Sequence, residues 1–246
     1  MSYFVAFSTV AVLFTMSIIV NNKQTLEVSS STNENLPIYN VQTEENAVSL
    51  TMNCAWNADD IDSILDTLNK CNVKITFFIV GDWADKYPEA VKKISENGHE
   101  IGNHSCTHPY FNEISEEDMK KELESTSKKI KDITGEDTKI FRPPYGEINE
   151  DGVKVCESLG YKVVNWDVDS MDWKNIKDIY IIDRVSQNAT PGSIILFQGE
   201  GKNVENYLDS IISHFSKSGY KMLKISELLY DDNYYVDSSG VQRKKE

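Results

Sequence analysis

From residue 46 onward, hydrophobic and polar positions alternate in blocks along the chain. Short apolar, β-branched runs are followed by longer amphipathic stretches that end at Gly or Asn. The runs predict strands over Ala47–Asn53, Lys74–Val80, His99–His104, Lys139–Arg142, Tyr161–Asp167, Ser193–Phe197 and Tyr220–Ile225. The stretches between them predict helices over Ala58–Lys70, Tyr87–Asn97, Ser115–Ile133, Glu150–Leu159, Ile179–Asn188 and Val204–Ser218. Gly98, Gly160 and Gly219 each stand between a helix and the next strand, where a left-handed cap suits glycine. Ser115 followed by Glu116, Glu117 and Asp118 pairs a capping hydroxyl with an acidic first turn. Alternating strands and helices imply a parallel sheet covered by helices. About seven such units fit a closed or nearly closed α/β barrel better than an open sheet, and in either case a site belongs at the carboxyl ends of the strands.

The first residues break this rhythm. Tyr3 to Val20 carries no charge, and as a helix it would span roughly 27 Å. No Lys or Arg precedes it and no A-x-A follows, so residues 1–22 are expected to be an uncleaved membrane anchor or a poorly formed signal peptide, with a buried helix as the alternative. Residues 23–45, rich in Asn, Ser, Thr and Glu, read as a flexible spacer, and residues 231–246 as a polar tail. The folded domain is then 46–230, outside the cytoplasm, either anchored or secreted. A net charge of −14 argues against a nucleic-acid partner. The one dense basic run, Arg243-Lys244-Lys245, is read as solvated tail. Cys54, Cys71, Cys106 and Cys156 show no C-x-x-C spacing. They are buried thiols or disulfides of unassigned pairing.

The strand ends carry the chemistry. The first delivers Asn53 and Cys54, the third His104 and His108, the fourth Arg142-Pro143-Pro144-Tyr145, the fifth Asp169 to Trp173, and the sixth Leu196 to Gln198. Histidines four apart could present both imidazoles to one divalent ion, zinc first and cobalt or nickel next. A third ligand would come from Cys54, with Cys106 or a plain buried Cys54 as alternatives. The two prolines stiffen the loop that holds Arg142 and Tyr145. Asp172-Trp173 alone is equally a turn and a core aromatic.

Together these motifs, in this order, resemble the polysaccharide deacetylase (NodB-homology, carbohydrate esterase family 4) domain over about Ala47 to Leu229. The matching stretches are H-S-C-T-H at His104–His108, R-P-P-Y-G at Arg142–Gly146, D-S-M-D-W at Asp169–Trp173 and L-F-Q at Leu196–Gln198. The A-W after the first motif points to the sporulation-associated branch. The resemblance implies a distorted (β/α)7 barrel that acts on cell-wall or capsule amino-sugar polymers by metal-assisted hydrolysis of N-acetyl groups. It places His104 and His108 as metal ligands, Arg142 as the residue orienting the base and Asp172 as the one orienting the acid. The Tyr145 backbone would hold the oxyanion, with Pro144 in the same substrate loop, while Trp173 and Leu196 would wall the acetyl methyl. Where the family has T-F-D-D this chain has Thr51-Met52-Asn53-Cys54, so the base position is Asn53 and the third metal position Cys54. The acid position is Gln198. Neither amide titrates, and each lost proton-transfer group costs about 100- to 10,000-fold. Two expectations follow. One is a deacetylase with rewired proton transfer, using Asp59, Asp60 or Asp167 as base and Cys54 in the metal site, or an amidase on a small non-glycan substrate. The other, favoured by the paired loss, is a silent relative that binds glycan or a scaffold partner and has no need of a metal.

Overall fold

The computed structural model describes residues 35–174, 176–199 and 204–245. The membrane segment expected over residues 1–22 lies outside them. Among the described residues no helix is long and apolar enough to cross a membrane.

The elements run β1 (Asn40–Val41), β2 (Ala47–Cys54), α1 (Ile61–Lys70), β3 (Thr76–Ile79), α2 (Gly81–Lys86), α3 (Pro88–Glu96), β4 (Glu100–Asn103), α4 (Glu116–Thr134), β5 (Ile140–Phe141) and α5 (Glu150–Ser158). The chain continues with β6 (Lys162–Val163), β7 (Val168–Asp169), α6 (Asp178–Asn188), β8 (Ile194–Phe197), α7 (Val204–Lys217), β9 (Lys221–Met222), α8 (Ile225–Leu228), β10 (Tyr234–Val236) and β11 (Val241–Lys244). The expected alternation holds, with α2 as an unforeseen short helix. Ser115 caps α4 by accepting the Asp118 N–H, and Gly98, Gly160 and Gly219 are left-handed as the junction pattern requires.

The main sheet has the order β6-β5-β4-β3-β2-β8-β7, all parallel, with β9 pairing the start of β2. One expectation is corrected here. The strand anticipated over Tyr161–Asp167 is only β6, Lys162–Val163, and a second strand not anticipated, β7, follows just past its expected end; the two form opposite edges of the sheet. That placement dictates the curl. Seven flat strands would put the edges about 29 Å apart at ~4.8 Å per spacing. The five residue steps from Val163 to Val168 reach at most about 17 Å. The sheet must therefore bend into an incomplete barrel.

Two segments read as polar connections take part in this closure. Ile38 bridges Val164 of the link after β6, and Asn40 bridges Ser193 just before β8, so the end of the expected spacer fills the seam. Ile38 and Val41 are buried there. Gly192 is needed at this join: its φ is 87°, and a Cβ would collide with the Val41 carbonyl oxygen. The expected C-terminal tail instead forms β10 and β11, which join β1 in a small three-stranded sheet. Both misreadings have one cause. Strands two to four residues long are too short to show a periodicity.

β2 is buried along its whole length. One face, including Val48, Leu50, Met52 and Cys54, joins the main apolar core with α1 and α7. The other carries Ser49, Thr51 and Asn53 toward the barrel interior, where Thr51 Oγ1 donates to the Ile195 carbonyl. This period-2 alternation decides what the strand end can offer to chemistry.

Candidate active site

A cleft of about 480 Å³ opens at the carboxyl ends of the strands. It is lined by Asn53, Ala55, Trp56, His104, His108, Tyr145, Trp166, Asp169, Trp173, Leu196 and Gln198. The parallel register brings residues from five strand ends to one place, which is why positions up to 145 residues apart in the chain share a wall. The backbone around the cleft is held in uncommon conformations. Ser105, His108, Tyr145 and Met171 all have φ between 59° and 65° without being glycine. Such residues persist where surrounding contacts over-determine them. Here the contacts include the Ser105 N–H donating to Asn103 Oδ1 and the His108 N–H donating to Ser105 Oγ.

Behind Asn53 stands Arg142, fully buried at the end of β5. Its Nη1 donates to Asn53 Oδ1 at 3.1 Å and its Nη2 to the Asn165 carbonyl at 3.2 Å, while Nε has no partner. The guanidinium packs 4.0 Å from the Phe78 ring centroid. Burial pushes its pKa down to about 9, because this cation has left water and meets an amide rather than a carboxylate. On the other side, Asp172 is buried behind Gln198. Its carboxylate accepts from the Gln198 and Gly199 backbone N–H groups, from Ser170 Oγ and from the Tyr207 hydroxyl, all at 3.0–3.1 Å. Arg142 thus meets the Asn53 side-chain amide, whereas Asp172 meets Gln198 through its backbone N–H.

His104 and His108 lie edge to face, with ring centroids 4.9 Å apart. His104 Nδ1 donates to the Arg142 carbonyl at 2.7 Å, which leaves the Nε2 lone pair free. Burial, then the neighbouring His108 and Arg142 charges, lower the His104 pKa to about 3, and burial also lowers that of His108. Both rings are neutral at pH 7 and able to coordinate. His108 Nδ1 is buried without a partner, which is what a group awaiting an ion would show. Among the described residues no third donor joins the two rings. Cys54 falls on the helix-facing side of β2, in the apolar core with Ile61 and Ile64, where burial raises its thiol pKa and keeps it protonated. Cys106 does not replace it, since its Sγ lies 3.2 Å from Lys129 Nζ behind the histidine loop. Among the described residues no three His, Cys, Asp or Glu side chains converge on a metal position. Among the described residues the donor set at this position is two imidazoles, one short of the three protein ligands a catalytic zinc usually has.

The stand-in bases fare no better. Asp167 is held by Asn40, Ser193 and the Ile194 N–H at the seam of the barrel. Asp60 precedes α1 and borders a small void that adjoins the cleft through Asn53, Trp56 and Gln198 but does not line the cleft itself, and Asp59 lines neither. The carboxylate that does line the cleft is Asp169, with Oδ1 accepting the Met171 N–H at 2.8 Å. In the sequence only its place at the head of D-S-M-D-W marks Asp169. Pro144 is buried beneath the loop that carries Tyr145.

The rim is aromatic. Tyr145 stacks on Tyr110 at 4.1 Å between centroids and meets the edge of His108 at 4.7 Å, while Trp56 approaches His108 at 6.0 Å. Trp56, Tyr110, Tyr145 and Trp173 are 45–60% exposed, an unusual state for large apolar rings. Tyr110 and Trp56 were not anticipated as site residues. Their signal in the sequence was an aromatic one to three residues past a predicted catalytic motif. All four cysteines are free thiols, so no disulfide braces the site.

A model of the polysaccharide deacetylase family matches residues 40–164. A peptidoglycan-N-acetylglucosamine deacetylase from Bacillus cereus is 34% identical over 185 residues, covering 74% of this chain and 67% of the relative. The peptidoglycan-N-acetylmuramic acid deacetylase PdaA of Bacillus subtilis is 32% identical over 200 residues, covering 80% and 76%. Among solved structures, wild-type BA3943 from Bacillus anthracis, described as a carbohydrate esterase family 4 pseudoenzyme, superposes with TM-score 0.76 at 32% identity over 79% of this chain and 69% of that one. A mutant of BA3943 with restored enzymatic activity matches equally well, at TM-score 0.76.

Proposed function

This chain belongs to the polysaccharide deacetylase family, and we propose that it is a catalytically silent member that binds cell-wall glycan in its cleft outside the cytoplasm. The observation that carries the reading is the chemistry of the two proton-transfer positions. Asn53 and Gln198 both face the cleft as neutral amides, with Arg142 and Asp172 still behind them. With the base and acid positions each worth about 100- to 10,000-fold, turnover falls out of a useful range. Binding requires neither. Exposed aromatic faces at Trp56, Tyr145 and Trp173 suit the C–H faces of sugar rings, and a cleft of about 480 Å³ accommodates a few sugar units. The relatives that act on peptidoglycan support this glycan as the ligand, and the apolar N-terminal segment supports membrane attachment.

The retained His pair and the carboxylate of Asp169 support one competing reading, a slow deacetylase with Asp169 as base. The test separates the two. Full-length protein in mild detergent, with zinc, cobalt or nickel added, is assayed for acetate release from peptidoglycan and from N-acetylglucosamine oligomers. Glycan affinity is measured alongside. We expect saturable binding without turnover, weakened about tenfold in Trp56→Ala and Trp173→Ala. Acetate release should appear only in Asn53→Asp/Gln198→His, which returns titratable groups to the two cleft-facing amide positions. Turnover by the unaltered chain that Asp169→Asn abolishes would establish the competing reading instead.

A further inference from the structure

At the opposite end of the barrel lies a second cavity of about 510 Å³, framed by the amino-terminal ends of β4, β5 and β6. It shares no residue with the cleft. His99 lines it, just ahead of β4, and is 3% exposed. The ring packs edge-on against Phe77, and its Nδ1 accepts the Ile75 N–H at 3.2 Å. Burial, helped by Lys74 and Lys224, lowers its pKa to about 4, so the ring is neutral at pH 7. With Nδ1 occupied as an acceptor, the proton sits on Nε2. That N–H is buried and has no hydrogen-bond partner. Orphaned buried donors are rare in folded proteins and call for an acceptor.

The charged groups around it are mostly committed to one another. Lys162 Nζ is held by Asp231 at 2.8 Å, Lys224 by Glu227 at 3.3 Å and Asp137 by Lys131 at 2.9 Å. Glu100 accepts from Thr76 Oγ1 and the Ser226 N–H, and Glu136 from Ser95 Oγ. Lys139 lines the cavity with no ion pair or hydrogen bond to its ammonium group among the described residues; the Asp231 charge nearest it is already bound by Lys162. Among the described residues the uncommitted donors of the lining include the buried His99 Nε2–H and the exposed Lys139 ammonium group. Between them lie apolar walls from Ile101, Ile140 and Leu229. Four carboxylates against three ammonium groups line the space, a balance that disfavours a dianion.

We propose that this cavity is a binding site for a small organic monocarboxylate, its oxygens received by His99 Nε2–H and Lys139 and its hydrocarbon body seated against Ile101, Ile140 and Leu229. Such a site is independent of the cleft and of any reaction there.

The experiment uses full-length protein labelled with ¹⁵N at histidine, titrated with acetate, butanoate and inorganic phosphate while the His99 ring signals are followed. Butanoate should shift the His99 signals saturably, with millimolar affinity. Its two additional methylenes should make it about tenfold tighter than acetate. In Lys139→Ala, whose side chain is exposed and whose melting temperature should not change, butanoate binding should weaken about fivefold. Absence of a saturable shift at His99, equal affinity in Lys139→Ala, or a preference for phosphate over both carboxylates would each overturn the assignment.

Discussion

Restoring a carboxylate at position 53 should stabilise the fold, and the gain should depend on pH. Arg142 is fully buried, and burial lowers its pKa from 12.5 to about 9. That shift corresponds to roughly 5 kcal/mol of unfavourable desolvation at 1.36 kcal/mol per unit. In this chain its partner is the amide oxygen of Asn53 at 3.1 Å. Asn53→Asp would place a unit negative charge about 4 Å from the guanidinium centre, an attraction of about 4 kcal/mol at an effective dielectric of 20. Burying the new carboxylate offsets part of this, so a net gain of about 1–3 kcal/mol is expected at pH 7. For a domain of this size that is a rise of several degrees in Tm. The sign with pH follows from linkage. An Asp beside Arg142 has a folded-state pKa below its unfolded value of ~3.9, so its contribution is complete above that value and is lost as pH falls through the folded pKa. Urea unfolding of both proteins from pH 7 down to pH 3 measures the difference. A variant no more stable than the parent at pH 7, or a gain that persists undiminished at the acid end, refutes the account of Arg142 as an uncompensated cation.

Three further expectations rest on single contacts. Tyr207→Phe removes one of the donors to Asp172 and should cost about 1–2 kcal/mol in urea unfolding, with the remaining backbone donors keeping the carboxylate in place. Gly192→Ala forces a side chain against the Val41 carbonyl at φ 87°, so it should destabilise by more than about 1 kcal/mol, and hydrogen exchange should rise first at the Asn40–Ser193 seam. Cys54 should resist iodoacetamide at pH 8 in the folded protein and react fully in urea, because burial both covers the thiol and raises its pKa. Peptide mass spectrometry reads the modified fraction, and rapid labelling of Cys54 under native conditions would mean that it lies open to the cleft after all.

The long elements of this fold were legible because they repeat. β2, α4 and α7 carry enough residues to show a period of two or of 3.6, and the three Gly junctions mark helix ends by the one conformation glycine adopts at least cost. The site's amide positions were legible for a different reason: they stand in motifs whose order and spacing fix their neighbours. What escaped were features set by geometry over two to four residues. β7 read as the loop after a strand ending at Asp167, because nothing local records that the chain crosses to the opposite edge of the sheet after β6. Ile38 looked like spacer because its burial depends on a seam between distant strands. Cys54 looked like a ligand because residue type was weighed without strand parity. Asn53 faces the barrel interior, so its neighbour must face the helices.

The two amide positions differ physically. On the acid side, the Asp172 carboxylate is satisfied by two backbone N–H groups and two hydroxyls, so the loss of a titratable partner at Gln198 leaves it no worse solvated than a structural carboxylate elsewhere. On the base side, Arg142 keeps an unpartnered Nε and faces a neutral oxygen, so the loss of a carboxylate there leaves a buried cation without its counter-charge. The acid side has become ordinary structure, whereas the base side still carries a cost that a glycan or an added carboxylate could relieve. A ligand that presents an anionic group toward Asn53 should therefore bind more tightly than its neutral analogue, and Asn53→Asp should abolish that preference while leaving the aromatic contacts at the rim intact.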